Sequence, residues 1–123
     1  MLRLPAAVRI FVCLEPADMR RSFDGLCGMV RQILEESPTS GHLFVFRNRR
    51  GDRLKVLWWD RDGFAIFYKR LEKGVFDFPA RPASAGGRCE IDARDFAMLV
   101  EGFRERDLRK KSRFHLRTPC ASA

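Results

Sequence analysis

The segment "HLFVFRNRRGDRLKVLWWDRDGFAIFYKRL", residues 42–71, holds three apolar runs divided by two short polar breaks, "NRRGD" and "DRDG". The runs at 42–47, 53–59 and 64–71 are rich in β-branched and aromatic residues. Each break carries Asp with Gly, the residues that turns favour. Neighbouring strands joined by tight turns pair antiparallel, so the segment predicts a β-meander. Across the second break, Trp59 faces Phe64, Leu57 faces Ile66, Lys55 faces Tyr68 and Arg53 faces Arg70. Across the first, a tight turn pairs Arg53 with Arg47, Lys55 with Val45 and Leu57 with Leu43. One face then carries Phe44, Phe46, Leu54, Val56, Trp58 and Phe67, and needs a helix against it. The other carries Leu43, Val45, Leu57, Trp59, Phe64, Ile66 and Tyr68. At its far end lie Arg47, Arg53, Lys55 and Arg70, with Arg49 and Arg50 on the adjoining turn.

This arrangement predicts an arginine pole. Like charges facing each other across strands are unfavourable without a counter-charge, and Asp52 and Glu72 offset only part of the repulsion. An anion relieves it, and phosphate suits the bidentate guanidinium fork. Trp58, Trp59 and Tyr68 are close enough in sequence to add stacking surface of the kind used on single-stranded or distorted nucleic acid. The predicted nucleic-acid or partner surface comprises Arg47, Arg49, Arg50, Arg53, Lys55, Lys69, Arg70, Trp59 and Tyr68, with Arg20 and Arg21 from the preceding helix entry. The competing reading is a solvated turn whose Arg stems lie over a sheet packed on both sides.

Upstream, Val8, Ile10, Val12 and Leu14 alternate with Arg9, Phe11 and Cys13 as in a strand, which Pro16 stops. "ADMRRSFDGL" (17–26) opens a helix with Ser22 or Asp18 as N-cap. Phe23, Leu26, Cys27, Val30, Ile33 and Leu34 then form one apolar stripe, expected to pack on Phe44, Phe46, Val56 and Phe67. Gly25 and Gly28 weaken this helix, and a close approach to the sheet would explain them. Downstream, "VFDFP" after Gly74 is a candidate fourth strand and "ARPASAGGR" a connector. "IDARDFAMLVEGF" (91–103) is a second helix, with Asp92 as N-cap, Asp95 in its first turn, and an apolar face of Phe96, Leu99, Val100 and Phe103. The expected fold is α+β: an antiparallel β-meander with one amphipathic helix on a face and a second, C-terminal helix. Residues 1–103 form a single domain and 104–123 a basic tail.

The 123 residues carry a net charge of +8. Residues 104–117 hold seven Lys or Arg against two acids. A basic tail on a basic domain favours an anionic partner, most commonly nucleic acid. No apolar run reaches membrane-spanning length, and the N-terminal "MLRLPAAVRIFVCL" reads as a strand rather than a signal peptide. Cys13, Cys27, Cys89 and Cys120 lie far apart, without a CxxC pair or a ligand-like spacing to His42 or His115. Reduced thiols in a cytoplasmic protein, with no metal and no cofactor, are expected. Asp18 with Asp24, or Asp60 with Asp62, could be drawn as nuclease carboxylates, but helix-start and turn roles account for them. No catalytic constellation stands out.

"ADMRRSFDGL" (17–26), "SGHLFVFRNRRGDRLKVLWWD" (40–60), "GFAIFYKRLEKGVFDFP" (63–79) and "IDARDFAMLVEGF" (91–103) together resemble the TnpB accessory protein of the insertion-sequence-66 transposable elements, the product of their second open reading frame. The resemblance spans about residues 8–103. It departs at Ala17 and Ser22, where the family pattern reads TDMR(K/R)GFDGL. It implies a product encoded beside a larger transposase and a companion accessory protein, with strand-transfer chemistry held by the transposase. The expected function is therefore a non-catalytic accessory factor for DNA transposition, binding DNA or a DNA–transposase complex through the arginine pole. The alternative is a protein–protein adaptor that docks the transposase through Trp59, Phe64 and Tyr68 without touching DNA.

Overall fold

The computed structural model describes residues 7–79 and 86–102. Along the chain it forms β1 (Ile10–Cys13), α1 (Phe23–Met29, continued by a π-helical turn, Val30–Leu34), β2 (Leu43–Arg47), β3 (Arg53–Asp60), β4 (Gly63–Arg70), β5 (Arg88–Ile91) and α2 (Ala93–Glu101). The sheet order is β4-β3-β2-β1-β5. The meander β2-β3-β4 is antiparallel, as its turn chemistry predicts. The sheet as a whole is mixed, because β1 pairs parallel to β2 with α1 as the crossover. β5, read from sequence as connector and helix approach, instead completes the sheet antiparallel to β1. The "VFDFP" segment is no strand. Phe76 donates its backbone N–H to Gly51 O at 2.8 Å, and Phe76 and Phe78 join the core.

Two apolar layers sandwich the sheet. On one face, Leu26, Cys27, Val30 and Leu34 pack with Phe11, Phe44, Phe46 and Leu57. On the other, Phe96 and Leu99 of α2 pack with Ile10, Val12, Leu43, Val45, Leu54 and Val56. Residues Ile10–Cys13 are all buried because both sides of β1 are covered. Asp92 caps α2 as expected, its Oδ1 accepting from Asp95 N at 2.8 Å. Lys69 reaches the other end of that helix and donates Nζ to Val100 O at 2.9 Å, on one of the carbonyls a helix C-terminus leaves open.

The register of the second hairpin is the one its turn predicts, with Arg53 opposite Arg70, Lys55 opposite Tyr68 and Trp59 opposite Phe64. The first hairpin is displaced by one residue: Phe44 faces Leu57, Phe46 faces Lys55 and Arg47 faces Leu54. Asn48 is the cause. Its Oδ1 accepts from Gly51 N and from Arg53 N, both at 3.0 Å, and its Nδ2 donates to Asp52 at 2.6 Å. Asn48 N also donates to Arg53 O at 3.2 Å, so those two residues close the ladder around a loop of Arg49–Arg50–Gly51–Asp52. Gly51, at φ 79°, supplies the left-handed step. A one-residue change in register sends side chains to the opposite face. Val56 and Phe67 therefore lie on the α2 side, not under α1, and Arg47 parts from Arg53.

Three further expectations about α1 are corrected. Phe23 is 43% exposed rather than part of the buried stripe. Ser22 sits at the N-cap position without a side-chain cap bond, while Asp18 accepts from Arg20 N within the preceding loop. Neither helix glycine marks a close approach to the sheet. A Cβ on Gly25 would meet the Arg21 side chain at 3.0 Å, and one on Gly28 would meet nothing within 4 Å. The Arg21 stem lies across Gly25 and uses the space. Residues 80–85 of the connector, Phe103, the basic tail and Cys120 lie outside the described residues. Cys13, Cys27 and Cys89 are buried, and no disulfide joins them.

Candidate nucleic-acid interface

Two separate segments are clamped together at one end of the sheet. The loop Ala17–Arg21 is fastened where Ala17 N donates to Arg47 O at 2.7 Å. It is fastened again by Lys55, whose Nζ donates to Met19 O at 2.8 Å and to Arg21 O at 2.7 Å. Opposite it stands the β2–β3 turn held by Asn48. Between them opens a cleft of about 360 Å³ lined by Ala17, Asp18, Met19, Arg20, Asn48, Arg49, Arg50 and Arg53.

The cleft is strongly positive. Among the described residues, four arginines line it against one carboxylate, Asp18. That carboxylate is engaged: Arg20 donates Nη2 to it at 2.7 Å and Nε at 3.1 Å. These bonds and the Arg20 backbone N–H hold the Asp18 pKa down at about 2. Asp52, beside the turn, is also held below the usual carboxylate range, first by the Asn48 amide and then by the charges of Arg50 and Arg53. Among the described residues, none of Arg49, Arg50 and Arg53 is joined to a carboxylate by an ion pair. Their guanidinium forks are available for bidentate contact with an anion.

The remaining residues singled out from sequence divide clearly. Arg70 lies beside Arg53 across the β3–β4 pair and approaches Glu72 at 3.7 Å. Tyr68 is exposed and its hydroxyl accepts from Arg53 Nη1 at 3.4 Å. Arg21 ends the cleft loop but is not among the lining residues. Arg47 turns to the other side, donating Nη2 to Leu14 O at 3.1 Å with its guanidinium 5.5 Å from the Phe78 ring centre. Burial lowers its pKa, and the charge of Arg49 adds to the effect. Lys69 caps α2, as described. Trp59 lies at the opposite end of β3, edge-on to Phe64 at 5.0 Å. Six residues of strand put it roughly 20 Å from Arg53. Among the described residues, no three His, Cys, Asp or Glu side chains are grouped to hold a metal ion. None of the described helices is long and apolar enough to cross a membrane.

Lys55 is 7% exposed, so it builds the cleft rather than lining it. Lys55→Met keeps the stem and removes the donor, leaving the Met19 and Arg21 carbonyls without it. The expected loss is about 1.5–3 kcal/mol in urea denaturation; a loss below about 0.5 kcal/mol would mean that the latch contributes nothing. Sequence reasoning missed this latch and the Asn48 turn lock. The available signal was an Asn two residues after the last apolar strand position, a side chain able to bond its own turn.

A family model described as IS66 Orf2 like protein matches residues 8–110. Two relatives from Sinorhizobium fredii (strain NBRC 101917 / NGR234), the uncharacterized proteins y4hO and y4jC, are 38% and 39% identical over 95 residues. Both alignments span 77% of this chain, and they cover 80% and 79% of the two relatives. No solved structure matches the chain.

Proposed function

Because this chain belongs to the IS66 Orf2-like family, which implies a transposition-associated accessory role, we propose that it is a non-catalytic factor that grips DNA backbone, alone or in a complex with the element's transposase. One observation carries the DNA reading: Arg20, Arg49, Arg50 and Arg53 are brought from two distant segments to one cleft where, among the described residues, the lining carboxylate Asp18 is already bonded. Arginines converging on a concave surface suit phosphate oxygens, and phosphate contacts supply most of the affinity in backbone binding. Among the described residues that line the cleft there is no nucleophile paired with a base, which favours a binding role over catalysis.

The test is retention of duplex DNA by the isolated protein over a salt series, with capture of the transposase before and after nuclease treatment. Retention that falls with salt, and capture lost after nuclease, are expected. Capture that survives nuclease from a protein that retains no DNA would instead establish the adaptor. That second reading draws on the Trp59–Phe64 pair, half-buried at the far end of the hairpin. A second expectation concerns the cleft's own acid. Asp18→Asn keeps an acceptor for the Arg20 backbone but frees its guanidinium, so DNA affinity should rise about 1.5- to 5-fold at low salt, the range for an exposed ion pair. A fall in affinity in the same titration would contradict this.

A further inference from the structure

The positive surface does not stop at the cleft. Arg53, part of its lining, reaches outward to the Tyr68 hydroxyl at 3.4 Å. Tyr68 is 48% exposed, an unusual position for a large ring on a strand whose other apolar side chains are half-covered. It is also braced. Lys55 Nζ lies 4.7 Å from its ring centre, and that ammonium is fixed by the Met19 and Arg21 carbonyls. A ring packed on a hydrogen-bonded cation has fewer orientations to choose from, so less freedom is lost on binding. Its solvent side is left open.

Duplex DNA offers phosphates to such a surface but keeps its bases stacked and paired inside the helix. An unpaired strand offers both a phosphate and, within the same nucleotide, a flat base. Exposed aromatics beside a positive groove bind single strands through that combination. We propose that the cleft and Tyr68 form one site for single-stranded DNA, with the backbone phosphates held by Arg49, Arg50 and Arg53 and a base stacked on the open face of Tyr68. The inference rests on the reading of the cleft as a DNA-backbone site, and its test separates the two.

Full-length protein is titrated into fluorescein-labelled single-stranded and duplex oligonucleotides of the same sequence at the same salt. The single strand should bind more tightly. Tyr68→Ala should weaken single-strand binding by about five- to hundredfold while leaving duplex binding and its salt dependence unchanged. Tyr68→Phe, which keeps the ring, should retain the preference. The chain has one tyrosine, so ring-labelled tyrosine reports on this position alone by NMR without any substitution. Single-stranded DNA should move that signal upfield and duplex should not. If Tyr68→Ala weakens both forms equally, or the ring signal ignores the single strand, the stacking site is overturned while the cleft stands. If neither form binds, both readings fall.

Discussion

Replacing Arg49, Arg50 and Arg53 together by alanine is expected to flatten the salt dependence of duplex binding by roughly two to three units on a log–log plot. Each neutralised phosphate contributes about 0.9 to that slope on duplex DNA. The three side chains line one cleft, and among the described residues no ion pair diverts them. Folding stability should change little, because substitutions at surface sites of this kind usually stay within about 0.5 kcal/mol each. The turn is held by the Asn48 side chain and by the backbone of Gly51 and Arg53, which alanine leaves in place. Arg47→Ala provides the contrast. Its guanidinium bonds Leu14 O and lies over Phe78 on the other side of the sheet, so it should lower stability without altering the slope. Anisotropy titrations at several salt concentrations, with urea denaturation of each variant, measure both quantities. An unchanged slope in the triple variant would remove the cleft from DNA binding.

Leu26→Ala is expected to cost about 2–5 kcal/mol, since the side chain is fully buried in the layer between α1 and the sheet. Leu54→Ala should cost a similar amount from the opposite layer. Phe23→Ala, at the exposed start of α1, should cost far less than a buried Phe. Combining the substitutions tests the register itself. Leu26 shares its layer with Phe44 and Leu57, so Leu26→Ala with Leu57→Ala should depart from additivity by about 0.5–3 kcal/mol. Leu26→Ala with Leu54→Ala should add to within about 0.5 kcal/mol, because the sheet stands between them. The reverse pattern in chemical denaturation would mean that β2 and β3 pair with Arg47 opposite Arg53.

Much of this molecule is determined locally and was legible as sequence. The alternating runs and Asp–Gly breaks of residues 42–71 specify three strands, and the two-residue turn of "DRDG" leaves one sensible register for the second hairpin. Asp92 with Asp95 announces the start of α2, and the spacing of Leu26, Val30 and Leu34 announces the buried side of α1. The four phrases that mark the family are likewise present without any coordinates. Tertiary structure decided which arginines share a site. The choice between Arg47 beside Arg53 and Arg47 on the far face hangs on a single residue of register, and apolar residues on both faces of β2 and β3 satisfy either choice. Only the bonds of the Asn48 side chain across its own loop remove the ambiguity. The partnership of Arg20 with Arg49 and Arg50 was beyond the sequence for a different reason. It depends on Lys55 reaching carbonyls 36 and 34 residues away, and backbone carbonyls carry no trace of their partners in the sequence.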